Sequence, residues 1–155
     1  MAEVRVIKLN ESVYSKNDNQ ADMTRRMLND KKVFFVNIMS SPGSGKTTML
    51  SRLINMLKDD YRIGEMDVDI ESDIDARRVA ESTGVKTMQI HNGGLCHIDA
   101  KMTADAISEY GVDDLDILFL ENIGNLVCPA EFDTGAHRNV CLLYTSDAAD
   151  DLTRV

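Results

Sequence analysis

The sequence predicts an α/β fold with a mainly parallel sheet flanked by helices, and three observations predict it. Val33-Phe34-Phe35-Val36-Asn37-Ile38-Met39 is a nearly continuous apolar run, the pattern of a parallel strand covered on both faces. A Gly/Ser/Pro loop follows at Ser40–Gly45. It leads into Leu50, Leu53, Ile54 and Leu57, which recur at the i, i+3, i+4, i+7 spacing of one buried helix face. Strand and helix signals then alternate along the chain, as in folds built from βαβ units.

In chain order, Val4, Val6 and Ile7 hint at a short N-terminal strand. The polar stretch Asn10–Gln20 is expected as a loop, and Ala21–Leu28 has helical character. After the apolar strand and its helix, Met66, Val68 and Ile70 alternate as a second strand would. Asp75–Ser82 is expected as a short helix with Gly84 at its C-cap. Lys86–Ile90 forms a third strand and Ile98–Tyr110 a helix with Ile98, Met102 and Ile107 inward. Ile117–Leu120 is a fourth strand ending at Glu121, and Cys141–Thr145 can pass for another. In such sheets the chemistry gathers at the carboxyl ends of the strands.

Composition narrows the function classes. The chain has 155 residues, 43% hydrophobic and 28% charged, which is one domain's worth of ordinary globular sequence. No apolar run approaches the roughly 18–20 residues of a membrane helix, and Met1–Leu9 lacks the apolar stretch of a signal peptide. A cytoplasmic protein with no membrane partner is expected. The net charge of −9 argues against nucleic acid as a partner and suits a protein that handles cations. Three cysteines fit a disulfide framework poorly and read better as thiols or metal ligands.

Ser40-Ser41-Pro42-Gly43-Ser44-Gly45-Lys46-Thr47 carries the G-K-[ST] ending of a Walker A loop, between a buried strand and a helix opening at Lys46. Glycines let successive backbone N–H groups turn inward on a phosphate, and the helix N-terminus adds a favourable dipole. Gly43, Ser44, Gly45, Lys46, Thr47 and Thr48 are the expected nucleotide-binding residues. Lys46 reaches the β- and γ-phosphates and the Thr47 hydroxyl ligates Mg²⁺. The general pattern begins with Gly, and Ser40 stands there instead.

Asp67, Asp69, Glu71, Asp73 and Asp75 crowd the end of the second strand. Phosphate-bound Mg²⁺ takes one or two protein carboxylates, so one or two of these five suffice and the others are solvated. Glu121, at the carboxyl end of an apolar strand, is in the Walker B arrangement, and Glu121-Asn122-Ile123-Gly124 resembles a γ-phosphate sensor in which Gly124 offers its N–H to the last phosphate. The catalytic set expected is Lys46, Asp69, Asp75 and Glu121, with Asp69 or Asp75 orienting the attacking water.

Cys96 and His97 are adjacent in a Gly-rich stretch before a helix, and Cys128 lies seven residues past Glu121. Two thiolates and an imidazole suit Ni²⁺ or Zn²⁺, with a fourth position open. A thiolate at a helix start is expected to have a lowered pKa. A lone cysteine is more often a small core residue, and Cys141, in an apolar run, is expected to be buried. His91 and His137 are expected at the surface rather than as ligands.

Four blocks in this order resemble the hydrogenase nickel-incorporation GTPases, the HypB family. They are Ser41–Thr48, Asp69 through Arg78, Gly93-Gly94-Leu95-Cys96-His97-Ile98-Asp99-Ala100, and Glu121-Asn122-Ile123-Gly124-Asn125-Leu126-Val127-Cys128-Pro129-Ala130-Glu131-Phe132-Asp133. The resemblance runs from about Lys32 to about Val140. It implies a P-loop NTPase of the SIMIBI class, incomplete here, with residues 32–145 as the GTPase domain behind an extension at 1–31. It implies GTP hydrolysis that helps deliver nickel to [NiFe]-hydrogenase, a nucleotide-favoured homodimer, a HypA-like zinc protein as partner, and the hydrogenase large subunit as client. Cys96, His97 and Cys128 would correspond to the metal ligands, Thr47, Asp75 and Glu121 would lie around Mg²⁺, and Asp69 would stand in the first switch.

Three features depart from the family. Met1–Leu28 contains no Cys or His, no N-K-x-D guanine-recognition motif occurs, and Ser146–Val155 reads as an unrelated tail on a chain that stops early. Two alternatives share the residues: a metal-binding module without turnover, and a urease-type (UreG-like) metallochaperone GTPase. The latter family carries Cys-Pro-His where this chain has Cys128-Pro129-Ala130. A small-molecule kinase would have no use for the Cys/His set. Without N-K-x-D, the isolated 155-residue chain is expected to bind GTP weakly in a titration, and tight binding would contradict that expectation.

Overall fold

Short extended segments pair side by side into one sheet in which every pairing is parallel. The computed structural model describes residues 11–69 and 73–143. In chain order the elements are α1 (Glu11–Asp30), β1 (Phe34–Ser40), α2 (Lys46–Leu57), β2 (Ile63–Val68), α3 (Ile74–Thr83), β3 (Thr87–Ile90), α4 (Ala100–Tyr110), β4 (Ile117–Gly124), α5 (Cys128–Glu131) and β5 (Arg138–Leu142). The strand order is β3-β2-β4-β1-β5. All the strands point one way, so all their carboxyl ends lie on one edge, as the α/β P-loop class requires.

Alternate residues of the central strands feed two cores. Phe35, Leu118 and Leu120 pack with Leu28 of α1 and with Ile107 and Tyr110 of α4, whereas Val36, Ile38 and Phe119 pack with Leu50 and Ile54 of α2 and Val79 of α3. Helices therefore cover both faces, which explains why β1 reads as a continuous apolar run. Among the described residues no helix is long and apolar enough to cross a membrane.

Several expectations need correction. Residues 11–20 are helix, not loop: α1 starts at Glu11 and runs unbroken through the expected helical stretch. The half-buried positions Tyr14, Asn17 and Gln20 repeat at helical spacing, but they are polar or amphipathic. The partners of Tyr14 and Asn17 lie on distant segments and that of Gln20 is Thr24 of the same helix, so hydrophobic periodicity has nothing to register. β2 is buried at all six positions, including Glu65 and Asp67, rather than alternating, because it is an interior strand with helices over both faces. β4 continues to Gly124, so Glu121 lies inside the strand instead of ending it.

Helix α4 starts at Ala100, where the Asp99 carboxylate accepts from the Met102 N–H at 2.8 Å as N-cap. Ile98 is still fully buried just outside it. Gly84 closes α3 at φ +72°, as expected of a left-handed C-cap. Among the described residues the last strand is Arg138–Leu142, which forms an edge and pairs only with β1, so Cys141 is exposed rather than buried. Val4, Val6, Ile7, Ile70, Glu71 and Ser146–Val155 lie outside the described residues.

Gly64 of β2 permits a close approach. A Cβ there would collide with the Tyr110 hydroxyl and stand 2.7 Å from Leu115 Cδ1, and Tyr110 is itself only 2% exposed. Gly64→Ala is expected to destabilise the fold by ~1–3 kcal/mol through overpacking, read as a lowered urea midpoint. An unchanged midpoint would show that α4 is free to shift.

Candidate nucleotide site and the neighbouring thiols

The phosphate loop spans from β1 to α2 and lines a cavity of about 560 Å³ together with Asp67, Asp69, Asp75, Glu121 and Gly124. Gly43 (φ +71°) and Gly45 (φ +83°) hold left-handed backbone that a side chain would strain. Ser40 has no such need, since it is the last residue of β1 and its backbone is not left-handed. The Ser44 hydroxyl donates to the Ser41 carbonyl at 2.9 Å and helps close the loop.

Two loop side chains reach β4. Lys46 Nζ donates to the Asn122 carbonyl at 2.5 Å, and Thr47 Oγ1 donates to Glu121 Oε1 at 2.5 Å. Gly124 completes the contact, because a Cβ there would stand 3.1 Å from Pro42 Cα. The backbone of β4 therefore lies directly against the loop.

Under the loop, Glu65, Asp67 and Glu121 place carboxylate oxygens within 4.8 Å of one another, all buried. Both oxygens of Glu65, Asp67 Oδ2 and Glu121 Oε2 have no hydrogen-bond partner. Burial raises all three pKa values, and neighbouring carboxylates add to the effect: Glu65 is pushed up to about 9 and Asp67 to about 8. For Glu121 the rise from burial is opposed by the Thr47 hydroxyl and by Lys46. Orphaned, mutually repelling oxygens of this kind fit a hard divalent cation. Asp75 lines the same cavity from the first turn of α3.

Cys96 and His97 lie in the loop between β3 and α4, and Cys128 opens α5 just after β4. Cys96 Sγ is 3.8 Å from His97 Nδ1. The neighbouring Cys128 thiol, first through a hydrogen bond and also through its charge, raises the pKa of Cys96 rather than lowering it. The expected depression fails because Cys96 stands four residues ahead of α4, beyond the reach of its N-terminus. The three groups do not close into one chelate: among the described residues the three carboxylates are the only such cluster whose ligand atoms all lie within 4.8 Å. His97 stacks on Phe132, with ring centroids 4.1 Å apart and planes inclined by 6°.

His91 is exposed, as expected. His137 is half-buried and structural. Its Nδ1 accepts from the Phe35 N–H at 2.9 Å, its Nε2 faces Asn29 Oδ1 at 3.0 Å, and burial lowers its pKa.

The family description "CobW/HypB/UreG, nucleotide-binding domain" matches residues 34–148. A probable hydrogenase maturation factor HypB from Methanocaldococcus jannaschii is 35% identical over 151 residues, covering 97% of this chain and 68% of that protein. The chain belongs to the HypB family. A HypB from Rhizobium leguminosarum bv. viciae is 41% identical over 150 residues, but the chain spans only 50% of its length. Among solved structures, HypB from Archaeoglobus fulgidus matches with a TM-score of 0.76 at 34% identity, over 90% of this chain and 68% of that one. HypB from Helicobacter pylori in complex with nickel matches with a TM-score of 0.76 at 35% identity, over 90% and 65%.

Within this HypB-family domain, sequence reasoning missed one group and part of the role of another. Glu65 was absent from the crowd of acidic residues because it sits mid-strand, where a carboxylate is rare. Asn122 stands in the segment read as a phosphate sensor, but the cross-strand role of its side chain is not legible there. Its Nδ2 donates to Asn37 Oδ1 at 3.0 Å, and Asn37 Nδ2 donates to Asn139 Oδ1 at 3.0 Å, so a polar ladder crosses β4, β1 and β5. Three asparagines on three strands carry no one-dimensional signal.

Because the folded protein favours protonated Glu65, its contribution to stability is full below the usual 4.5 and is lost as pH rises from there through about 9. In buffer free of divalent cations, Glu65→Gln should therefore melt with wild type near pH 5 and above it at about pH 8. A gap that does not change with pH would contradict the burial of an ionisable cluster.

Proposed function

We propose that this chain is the nucleotide-binding domain of a GTP-hydrolysing nickel metallochaperone that serves maturation of [NiFe]-hydrogenase. One observation carries the reading. β4 and its continuation bear both halves of the chemistry, with Glu121, Asn122 and Gly124 against the phosphate loop and Cys128 beside Cys96 seven residues beyond Glu121. Membership of the HypB family and the nickel bound by the H. pylori relative support it. Guanine is the proposed base on family membership alone.

In this proposal the N–H groups around Gly43, Ser44 and Gly45 cradle the phosphates, with Thr48 beside them. Lys46 leaves the Asn122 carbonyl for the β- and γ-phosphate oxygens. Asp69 or Asp75 orients a water for in-line attack on the γ-phosphorus, the bond to the β–γ bridging oxygen breaks, and inorganic phosphate leaves. Thr47, Asp75 and Glu121, with Asp67 adjoining, would hold Mg²⁺, which supplies charge neutralisation at the β- and γ-phosphates when bound. Loss of the γ-phosphate frees the N–H of Gly124 and shifts the β4–α5 segment that carries Cys128.

Nickel, or zinc in its place, is the cargo for Cys96, His97 and Cys128, whose soft donors suit either ion. One chain leaves the set open, and Leu95 and Val127, apolar and exposed beside the two thiols, would meet the same residues of a second copy in a homodimer. A HypA-like zinc protein and the hydrogenase large subunit are the proposed partners, in the cytoplasm, with neither nucleic acid nor membrane involved.

GTP turnover and bound metal, measured on wild type, Lys46→Ala and Cys96→Ala, test this. Lys46→Ala is expected to lower turnover by on the order of 100-fold or more, and Cys96→Ala to lose metal while keeping turnover. Metal lost with Cys96→Ala but no Lys46-dependent turnover would favour a binding module without catalysis.

A further inference from the structure

Helix α1 has no part in the nucleotide chemistry, yet its polar face touches both thiol-bearing segments. Asn17 spans them by itself. Its Nδ2 donates to the Asp133 carbonyl at 2.9 Å, and its Oδ1 accepts from the Ala100 N–H at 2.8 Å. Ala100 opens α4 three residues after His97, and Asp133 follows Cys128 by five. An asparagine amide is suited to the task because it offers a donor and an acceptor on one short planar group.

The flanking turns of α1 repeat the attachment. Tyr14 lies against Phe132, with ring centroids 5.6 Å apart, and its hydroxyl donates to Glu131 Oε2 at 3.4 Å. Phe132 in turn is the ring on which His97 stacks. Arg25 pairs with Asp133 at 2.6 Å, and the other Asp133 oxygen accepts from the Gly135 N–H at 2.8 Å. Gly135, at φ +88°, is pressed onto the helix: a Cβ there would stand 3.0 Å from Thr24 Cβ and 3.1 Å from the Ala21 carbonyl. The chain from 131 to 135 is thus moulded to α1, while Asn17 fixes the start of α4 to the same helix.

We propose that α1 is a clamp for the Cys96/His97/Cys128 site, with Asn17 as the positioning residue that sets how far the Cys96-His97 segment stands from the segment bearing Cys128. The inference rests on the proposed reading of those three residues as metal ligands. It adds that their spacing is imposed from outside, by a helix none of them belongs to. Residues that orient ligands from behind typically govern metal affinity by 10–100-fold.

The test is titration of Ni²⁺ into wild type, Asn17→Ala, Tyr14→Leu and Cys96→Ala, read by the thiolate-to-nickel charge-transfer absorption, with nucleotide-analogue binding and thermal unfolding measured in parallel. Asn17→Ala is expected to bind the analogue as wild type does but to bind Ni²⁺ ~10–100-fold more weakly, with an altered charge-transfer spectrum. Tyr14→Leu, which keeps the Asn17 bridge but removes the ring against Phe132, is expected to change the spectrum in the same direction, and it decides the matter if Asn17→Ala does not fold. Wild-type affinity and spectrum in both variants, with binding lost in Cys96→Ala, would overturn the clamp alone. Unaltered Ni²⁺ binding in Cys96→Ala, or no charge-transfer band in wild type, would overturn the metal-site reading and the clamp with it.

Discussion

Parallel pairing of β1 with β4 is the constraint on which the rest of the carboxyl edge depends. The two strands run in step from Phe34 opposite Ile117 to Ile38 opposite Glu121, and then slip, so that Ser40 faces Gly124. From Ile38 to Ser40 β1 advances two residues while β4 advances three, and the extra residue re-aims β4 as a bulge does. The slip sets Glu121 against Thr47, the Asn122 carbonyl against Lys46 and Gly124 against Pro42. The asparagine ladder from Asn122 through Asn37 to Asn139 spans the same three strands at this level and resists any alternative register, since a slip would strand buried amides without partners.

The electrostatics of that edge run against stability and in favour of ligand binding. Three buried carboxylates share a small volume with few donors, and Lys46 is the nearby cation that lowers the pKa of Asp67 and Glu121. An arrangement with this much repulsion is held in place by the packing of β2 between β3 and β4 rather than by its own interactions. Proton uptake relieves the repulsion, and so would a divalent cation. The cost is concentrated where a charged substrate and its cation would repay it, as expected of a site tuned for binding.

The fold was legible because β1 and the first half of β4 are nearly continuous apolar runs and the loops carry strong punctuation at Gly43, Gly45 and Gly84. The phosphate loop was legible for the same reason, since a fixed spacing of glycines and a lysine encodes a backbone shape. What escaped was everything held together by polar tertiary contacts. The first half of α1 looks like loop because the face it buries is Tyr14, Asn17 and Gln20, whose value lies in partners at least 80 residues away for the first two. Glu65 escaped because a mid-strand carboxylate has meaning only beside Asp67 and Glu121. Cys141 was misjudged because its apolar neighbours suit an edge strand as well as a buried one. The direction of the Cys96 shift also depends on Cys128, 32 residues away in sequence and adjacent in space.

These pieces fit one account. β4 lies against the phosphate loop and continues into the segment bearing Cys128, and α1 touches that segment and the start of α4; in the proposed function, the geometry of the ligands then depends on where β4 ends. The most direct measurement is the Ni²⁺ dissociation constant of the wild-type protein with a non-hydrolysable GTP analogue, with GDP, and with neither, each in the presence of Mg²⁺. The account predicts that affinity differs between the analogue and GDP, and that the difference disappears in Cys128→Ala. Equal affinity in all three states would mean that the thiols and the phosphate loop share an edge of the sheet without sharing a mechanism.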